Sequence, residues 1–319
     1  MNRLATAVVL LGLLAAVPMP ALAQFPSKPV RIVVPFPSGG GVDAGGRILA
    51  QRLSQTLGQP VLVENKPGAD GAIAAEYVAK AAPDGYTLGY LGSSALLAVP
   101  LLRRNPPYDS VHDFTPISLV GRFGLFLVTN SGVPAGTLAE LIAFARANPA
   151  KLNVAITTTT ATLVTAQLMS LAGLEMVPVA YKGEMLAVPD LLSGRVHLMF
   201  GSGNVLPLVK DGKLRAIVSL QTSRNRRLPD LPTWAEANMP SLTIGPWTAL
   251  FGPAKMPKDL VERLSRDVNS VLERPDVKEQ HEKLEIEIHG SSPDELAGFI
   301  RAQFVDWKRA AQEAGIQPQ

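Results

Sequence analysis

Strand-like apolar runs alternate with helix-period segments along almost the whole chain. The strand candidates are Val30–Val34, Val61–Glu64, Thr87–Leu91, Leu125–Val128, Val196–Phe200, Leu214–Leu220 and Ala249–Phe251. They are β-branched or leucine-rich and mostly lack in-out alternation, which suits strands buried on both faces of a parallel sheet. Between them, Leu49, Leu53 and Leu57 repeat every four residues, and Ile73, Tyr77 and Lys80-Ala81 continue that period. Thr137 followed by Glu140 forms a capping box, opening a helix with Leu141, Ile142 and Ala145 inward. Pro257 sits at a first helical turn, and Leu260, Leu264, Val268 and Leu272 then line one face. Ser292 to Glu295 starts a last helix with Leu296, Phe299, Ile300 and Trp307 inward. Alternating βα units predict an α/β fold with parallel sheets.

The first residues break this pattern. Arg3 precedes an apolar run from Ala5 to Val17, then Pro18, Pro20 and the small-x-small exit Ala21-Leu22-Ala23. About a dozen apolar residues are too few to span a bilayer, which takes roughly 20. A basic start, short apolar core and such an exit describe a secretory signal peptide over 1–23, cleaved after Ala23, and a periplasmic product. Cysteine is absent, which excludes a lipid-anchoring cysteine, thiolate catalysis and thiolate metal sites. Lys and Arg number 30 against 27 Asp and Glu, and removing Arg3 leaves 29 against 27. This near balance, with no long basic run, argues against nucleic acid as a partner. The cluster Arg224, Arg226, Arg227 reads as a solvated surface loop. What remains, 319 less 23 residues, exceeds what one core usually serves, so two lobes are expected.

The most informative segment runs from Val30 to Asp43, where a strand empties through Pro35, Phe36, Pro37 and Ser38 into Gly39, Gly40 and Gly41. A helix starts within a few residues. Glycines let main-chain N–H groups approach a ligand, and a helix start leaves such groups unpaired, which together make an anion site. The plainer alternative is a tight turn with Asp43 as a cap. Gly39-x-Gly41-x-x-Ala44, with Glu64 about 20 residues on, also satisfies a loose dinucleotide fingerprint and an NAD-dependent enzyme. Pro35 and Pro37 stretch that turn, and export removes the chain from a general NAD supply. No nucleophile elbow is present, since Ser93 and Ser94 lie in Gly-Ser-Ser-Ala. Of four histidines, His197 sits in a strand pattern, His281 and His289 lie in a charged, surface-like stretch, and no pair has metal-ligand spacing. Neither a cofactor nor a metal is expected.

These residues together resemble the Bug receptors, the periplasmic solute-binding proteins of tripartite tricarboxylate transporters. The resemblance runs from Gln24 essentially to the C-terminus. It is carried by residues 26–37, the glycine loop ending in Asp43, 57–65, Lys66 to Gly68 with Gly71, 82–88, Pro107 to Asp109 and Asp113-Phe114. Val179 to Gly183, Asp190 to Leu192, 210–215 and 228–233 extend it. It implies a two-lobed, type II-like binding-protein fold, with two parallel-rich sheets, two crossover strands and a cleft between lobes. The expected division is 24–124 and 244–319 for the first lobe and 125–243 for the second.

Ligand contacts implied by the resemblance are Phe36, Ser38, Gly39, Gly40, Gly41 and Asp43, with Ser93 and Ser94, in the first lobe. The second lobe would add Thr158, Thr159, Thr160 and Thr162, with Ala180, Tyr181 and Gly183. Tyr181 and Trp247 also read as core or hinge packing. Departures concentrate in the second lobe: a run of four threonines, Thr157 to Thr160, replaces a glycine-rich turn, Leu163 replaces a histidine, Ala180 a proline, and Phe200-Gly201-Ser202 lacks an acid. The implied function is to bind a small organic acid or related solute as a monomer and to present it to membrane permease subunits, or alternatively to a sensor kinase.

Overall fold

The computed structural model describes residues 25–221, 223–239, 244–313 and 315–318. The leader and its exit after Ala23 lie outside the described residues, as do the loop ends Thr222 and Pro240.

Two sheets carry the fold. The first holds β1 (Val30–Val34), β2 (Val61–Asn65), β3 (Thr87–Gly92), β4 (Phe114–Phe123), β10 (Trp247–Pro253) and β11 (Ile286–Ile288), in the order β11-β4-β10-β3-β1-β2. The second holds β5 (Phe126–Asn130), β6 (Asn153–Ile156), β7 (Val177–Ala180), β8 (Leu198–Gly201) and β9 (Leu214–Ser219), in the order β7-β6-β8-β5-β9. Each contains a parallel trio: β2-β1-β3, with Ile32 opposite Val63 and Leu88, forms where the apolar runs predict it, whereas in β7-β6-β8 only β8 coincides with a predicted run. The sheets are nonetheless mixed, because strands beside the crossings run the other way: β10 is antiparallel to β3 and β4, and β5 to β8 and β9.

β4 ends at Phe123 and β5 starts at Phe126, so one crossing is nearly a continuous strand. The return crossing enters β10 at Trp247. Phe123 N–H donates to the Pro246 carbonyl at 2.9 Å, and Leu220 N–H to that of Leu125 at 2.8 Å, holding the crossings side by side. Gly92 lies against the return: a Cβ there would come 2.3 Å from the Trp247 carbonyl oxygen. Only a residue without a side chain lets β3 and β10 approach at this point.

Four strands are illegible in the pattern. β7 is an exposed edge strand containing Pro178, tolerated because a proline withholds no needed donor at an edge. β4 is interrupted by Pro116 and Gly121, β6 has four residues and β11 three, flanked by charge.

Helices α1 (Gly41–Leu57), α8 (Lys258–Leu272) and α9 (Pro275–Lys283) pack on one face of the first sheet. Leu49, Leu53 and Leu57 are buried on α1, and Leu264, Val268 and Leu272 on α8, as the period predicts. The Thr137 capping box opens α4 (Leu138–Ala147), with the Thr137 hydroxyl accepting from Glu140 N–H at 3.2 Å. α10 (Pro293–Glu313) packs on β4 and also reaches α5 (Thr159–Ala172). Its Leu296 and Trp307 share one core with Val164 and Leu168, so the last helix clasps both lobes.

Three expectations need correction. On α2 (Ala72–Ala79) the buried face is Ala72, Ala74, Ala75 and Val78, while Ile73 and Tyr77 face outward; small alanines seat this helix closely on the sheet. His281 is fully buried, with Nδ1 donating to the Val277 carbonyl at 2.9 Å, because the last turns of α9 roll it inward towards Gly45 of α1. The arginine loop is no free surface loop. Arg227 pairs at 2.8 Å with the buried carboxylate of Glu285 and Arg226 with Glu282, tying the second lobe to the first, while Arg224 pairs with Glu236 within the second lobe.

Candidate functional site

The glycine loop leaves the parallel edge of β1 and feeds α1. Gly39 has φ +92°, a left-handed conformation open to glycine at little cost, and its N–H donates to Asp43 Oδ2 at 2.9 Å. Asp43 is 2 % exposed and does not face the cleft. Its carboxylate also accepts from Arg47 Nε at 2.9 Å and Asn65 Nδ2 at 2.8 Å, and Asn65 Nδ2 in turn donates to the Phe36 carbonyl at 2.9 Å. Burial works against this charge, but the hydrogen bonds from Arg47, Asn65 and Gly39 outweigh it and hold the carboxyl below its usual range. Asp43 thus staples the loop to the end of β2. Gly40 and Gly41 are uncrowded on their side-chain side: a Cβ at either would meet nothing within 4 Å.

Next to the loop, between the sheets, lies a cavity of about 210 Å³. That is below the roughly 300–1,000 Å³ of drug-sized pockets and suits a small solute. Phe36 and Val42 flank the glycine loop and line it, with Asp70, Ser93 and Ser94 from the first lobe. Thr157, Thr158 and Thr160 line it from the second, with Glu184, Phe200 and Ser202. Trp247 and Gly124, at the crossings, complete it. A wider and more open depression of about 440 Å³ lies between the arginine loop and β11, but its arginines are already paired with the chain's own acids.

The lobes touch directly across the cavity. Ser94 Oγ and Thr160 Oγ1 lie 3.0 Å apart, and the Thr159 hydroxyl donates to the Asp70 carboxylate. Both contacts depend on the threonine run. Thr158 caps α5, its hydroxyl accepting from Ala161 N–H at 3.1 Å, which aims the helix start at the cleft.

The structure therefore brings Phe36, Ser93, Ser94, Thr158 and Thr160 onto one cavity. Ser38, Gly39, Gly40 and Gly41 are exposed or half-buried and are not among the lining residues, although Phe36 and Val42 on either side of them are. Thr159 reaches it through Asp70, whereas Thr162 turns away and donates to the Thr158 carbonyl at 3.3 Å. Ala180, at the end of an exposed edge strand, Tyr181 and Gly183 are outside the lining. The Tyr181 hydroxyl donates instead to Asp190 Oδ2 at 2.8 Å, fixing α6 (Glu184–Ser193). Glu64 of the dinucleotide fingerprint is held by Lys66 at 2.8 Å on an outer strand.

Sequence reasoning missed Asp70 and Glu184. Glu184 begins α6 directly after Gly183, and an acid at that point of the 179–183 motif was the available signal. Its Oε2 accepts from Ser202 N–H at 3.0 Å and its Oε1 from the Ser202 hydroxyl at 3.1 Å. Desolvation pushes this carboxyl above its usual range, against the lowering effect of the Ser202 bonds.

Comparison with known proteins places this geometry. A family model described as "Tripartite tricarboxylate transporter family receptor" matches residues 46–316. Protein BugT of Bordetella pertussis is 36% identical over 324 residues, covering 99% of this chain and 99% of that protein. Among solved structures, Rpa4515 of R. palustris with adipate superposes with a TM-score of 0.84 at 32% identity, over 93% of this chain and 100% of that one. MatC of Rhodopseudomonas palustris with bound malate gives 0.79 at 30% identity, over 90% and 99%.

Proposed function

The chain belongs to the tripartite tricarboxylate transporter family receptors, and from that premise we propose that it captures one small organic acid between its lobes and delivers it to membrane permease subunits. The observation that carries this reading is the interlobe cavity lined by Phe36 and Val42, which flank the uncrowded turn at Gly40 and Gly41. Main-chain N–H groups at the start of α1 suit a carboxylate without a salt-bridging arginine. The hydroxyls of Ser93, Ser94, Thr158 and Thr160 supply further donors from both walls, and Phe36 and Trp247 cover the ligand's apolar body. Asp43 serves as the staple that shapes the loop, not as a contact. The relatives solved with adipate and malate favour an acid as the cargo. Export through the leader over 1–23 places the receptor in the periplasm.

Binding closes the lobes, and no bond is broken. A ligand that prefers the closed form shifts the population towards it by its differential affinity. The Ser94–Thr160 and Asp70–Thr159 contacts define that form. Differential scanning fluorimetry against a panel of small acids tests the reading. A ligand at 100 times its Kd adds about 2.7 kcal/mol to the native state and must raise the melting temperature. A flat response across mono-, di- and tricarboxylates would remove the acid from the proposal.

A further inference from the structure

The cavity walls carry two acids, Asp70 and Glu184, and no lysine, arginine or histidine among the described residues that line them. Arg47, the guanidinium near the glycine loop, is bound by Asp43 and Asn65. The two acids are not equivalent. Asp70 is engaged across the cleft by the Thr159 hydroxyl. Glu184 is engaged by its neighbour on the same cavity wall: each of its oxygens accepts one bond from Ser202, at 3.0 and 3.1 Å, and each keeps a second lone pair. A main-chain N–H is among those donors, so at least one carboxylate oxygen is fixed as an acceptor. Ser202 thereby locks the carboxylate at the start of α6, on the cavity wall.

A dicarboxylate closed into this space would set one of its charges against Glu184 with no cation to offset it, and like charges in a desolvated site disfavour each other. A ligand bearing an N–H donor would meet the opposite field and a ready acceptor. We propose that Glu184 determines specificity by accepting a hydrogen bond from an ammonium or carboxamide group of the ligand, so that the chain selects amino- or amide-bearing monocarboxylates over dicarboxylates. The inference rests on the cavity being the acid site, with the ligand's carboxylate at the Gly40–Gly41 amides and its nitrogen towards α6. Burial raises the Glu184 carboxyl, and a cationic partner would relieve that desolvation. The assignment separates this chain from the relatives solved with adipate and malate, both dicarboxylates.

The test is isothermal titration calorimetry of the purified protein near neutral pH with length-matched probes. These are succinate against 4-aminobutanoate and succinamate, and adipate against 6-aminohexanoate and adipamate. In at least one set the nitrogen-bearing probe should bind at least about tenfold more tightly than its dicarboxylate. Glu184→Gln, nearly isosteric and able to keep a bond to Ser202, should collapse that ratio for the ammonium probe and improve dicarboxylate binding. Dicarboxylates binding best in the native protein overturn the inference while leaving an acid receptor in place, even if Glu184→Gln does not fold. A nitrogen preference untouched by Glu184→Gln also overturns it. Silence from every probe overturns both the inference and the acid reading beneath it.

Discussion

Substituting Gly40 by valine separates folding from binding. Gly40 has φ −83° and ψ 167°, extended values that any residue adopts, and a Cβ there meets nothing within 4 Å. It makes no side-chain cap bond as it stands, so replacing it forfeits only the modest preference for glycine over valine at a helix N-cap, under about 1 kcal/mol. At about 2–4 °C per kcal/mol for domains of this class, the melting temperature should move by less than about 4 °C. Binding should respond quite differently, because a branched side chain would occupy the space through which a carboxylate reaches the Gly40 and Gly41 amides. Losing two charge-assisted hydrogen bonds at about 1.5–3 kcal/mol each gives a deficit of about 3–6 kcal/mol. At about 1.4 kcal/mol per decade, the affinity should fall at least about 100-fold. The assay is paired: thermal unfolding of the unliganded variant, and calorimetric titration with whichever acid stabilises the native protein. A variant that folds normally and binds within a few-fold of the native protein would refute the argument, since the loop amides would then not touch the ligand.

The remaining predictions probe other levels of the structure. Gly92→Ala should destabilise the fold by about 1–3 kcal/mol, the usual cost of overpacking, because its Cβ would lie 2.3 Å from the Trp247 carbonyl oxygen; an unchanged denaturant midpoint would show the crossing to be pliant there. Asp70→Ala removes one interlobe contact, worth about 1 kcal/mol, and should weaken ligand affinity about fivefold and enlarge the radius of gyration of the liganded form; equal scattering curves would deny the contact a role in closure. Burial lowers the His281 pKa against the raising effect of its bond to Val277, so the unfolded chain binds the proton first. The stability this group contributes is complete above its unfolded value of about 6.5 and is lost as pH falls below it, by up to about 1.4 kcal/mol per pH unit. Melting temperatures from about pH 8 to about pH 5 should therefore fall less steeply in His281→Leu than in the native protein, and parallel curves would exclude this histidine as the cause.

Local sequence settled much of the scaffold. β1 runs from Val30 to Val34 as the apolar run implies, and Leu49, Leu53 and Leu57 are buried at their helical spacing. The Thr137 box caps α4, and Ser292 accepts from Glu295 N–H at 3.2 Å before α10. These features are legible because each depends on residues within one or two turns, where period and cap chemistry act directly. The family resemblance was legible for the same reason, being a series of short motifs in order.

Tertiary structure decided the rest. Nothing local distinguishes Ile73, which faces solvent, from Leu49, which does not; the difference is that an alanine face fits closer to the sheet. His281 looks solvated among charges until α9 turns it towards Gly45 of α1. Asp43 resembles a ligand contact until Arg47 and Asn65, reaching from one turn of helix and another strand, claim its carboxylate. Glu184 reads as an ordinary first-turn acid until Ser202, eighteen residues on, fixes it to the wall of a cavity completed by the other lobe. A side chain's own segment sets the direction in which it points, but its field and solvation come from whatever distant chain packs opposite, and that is a property of the closed fold.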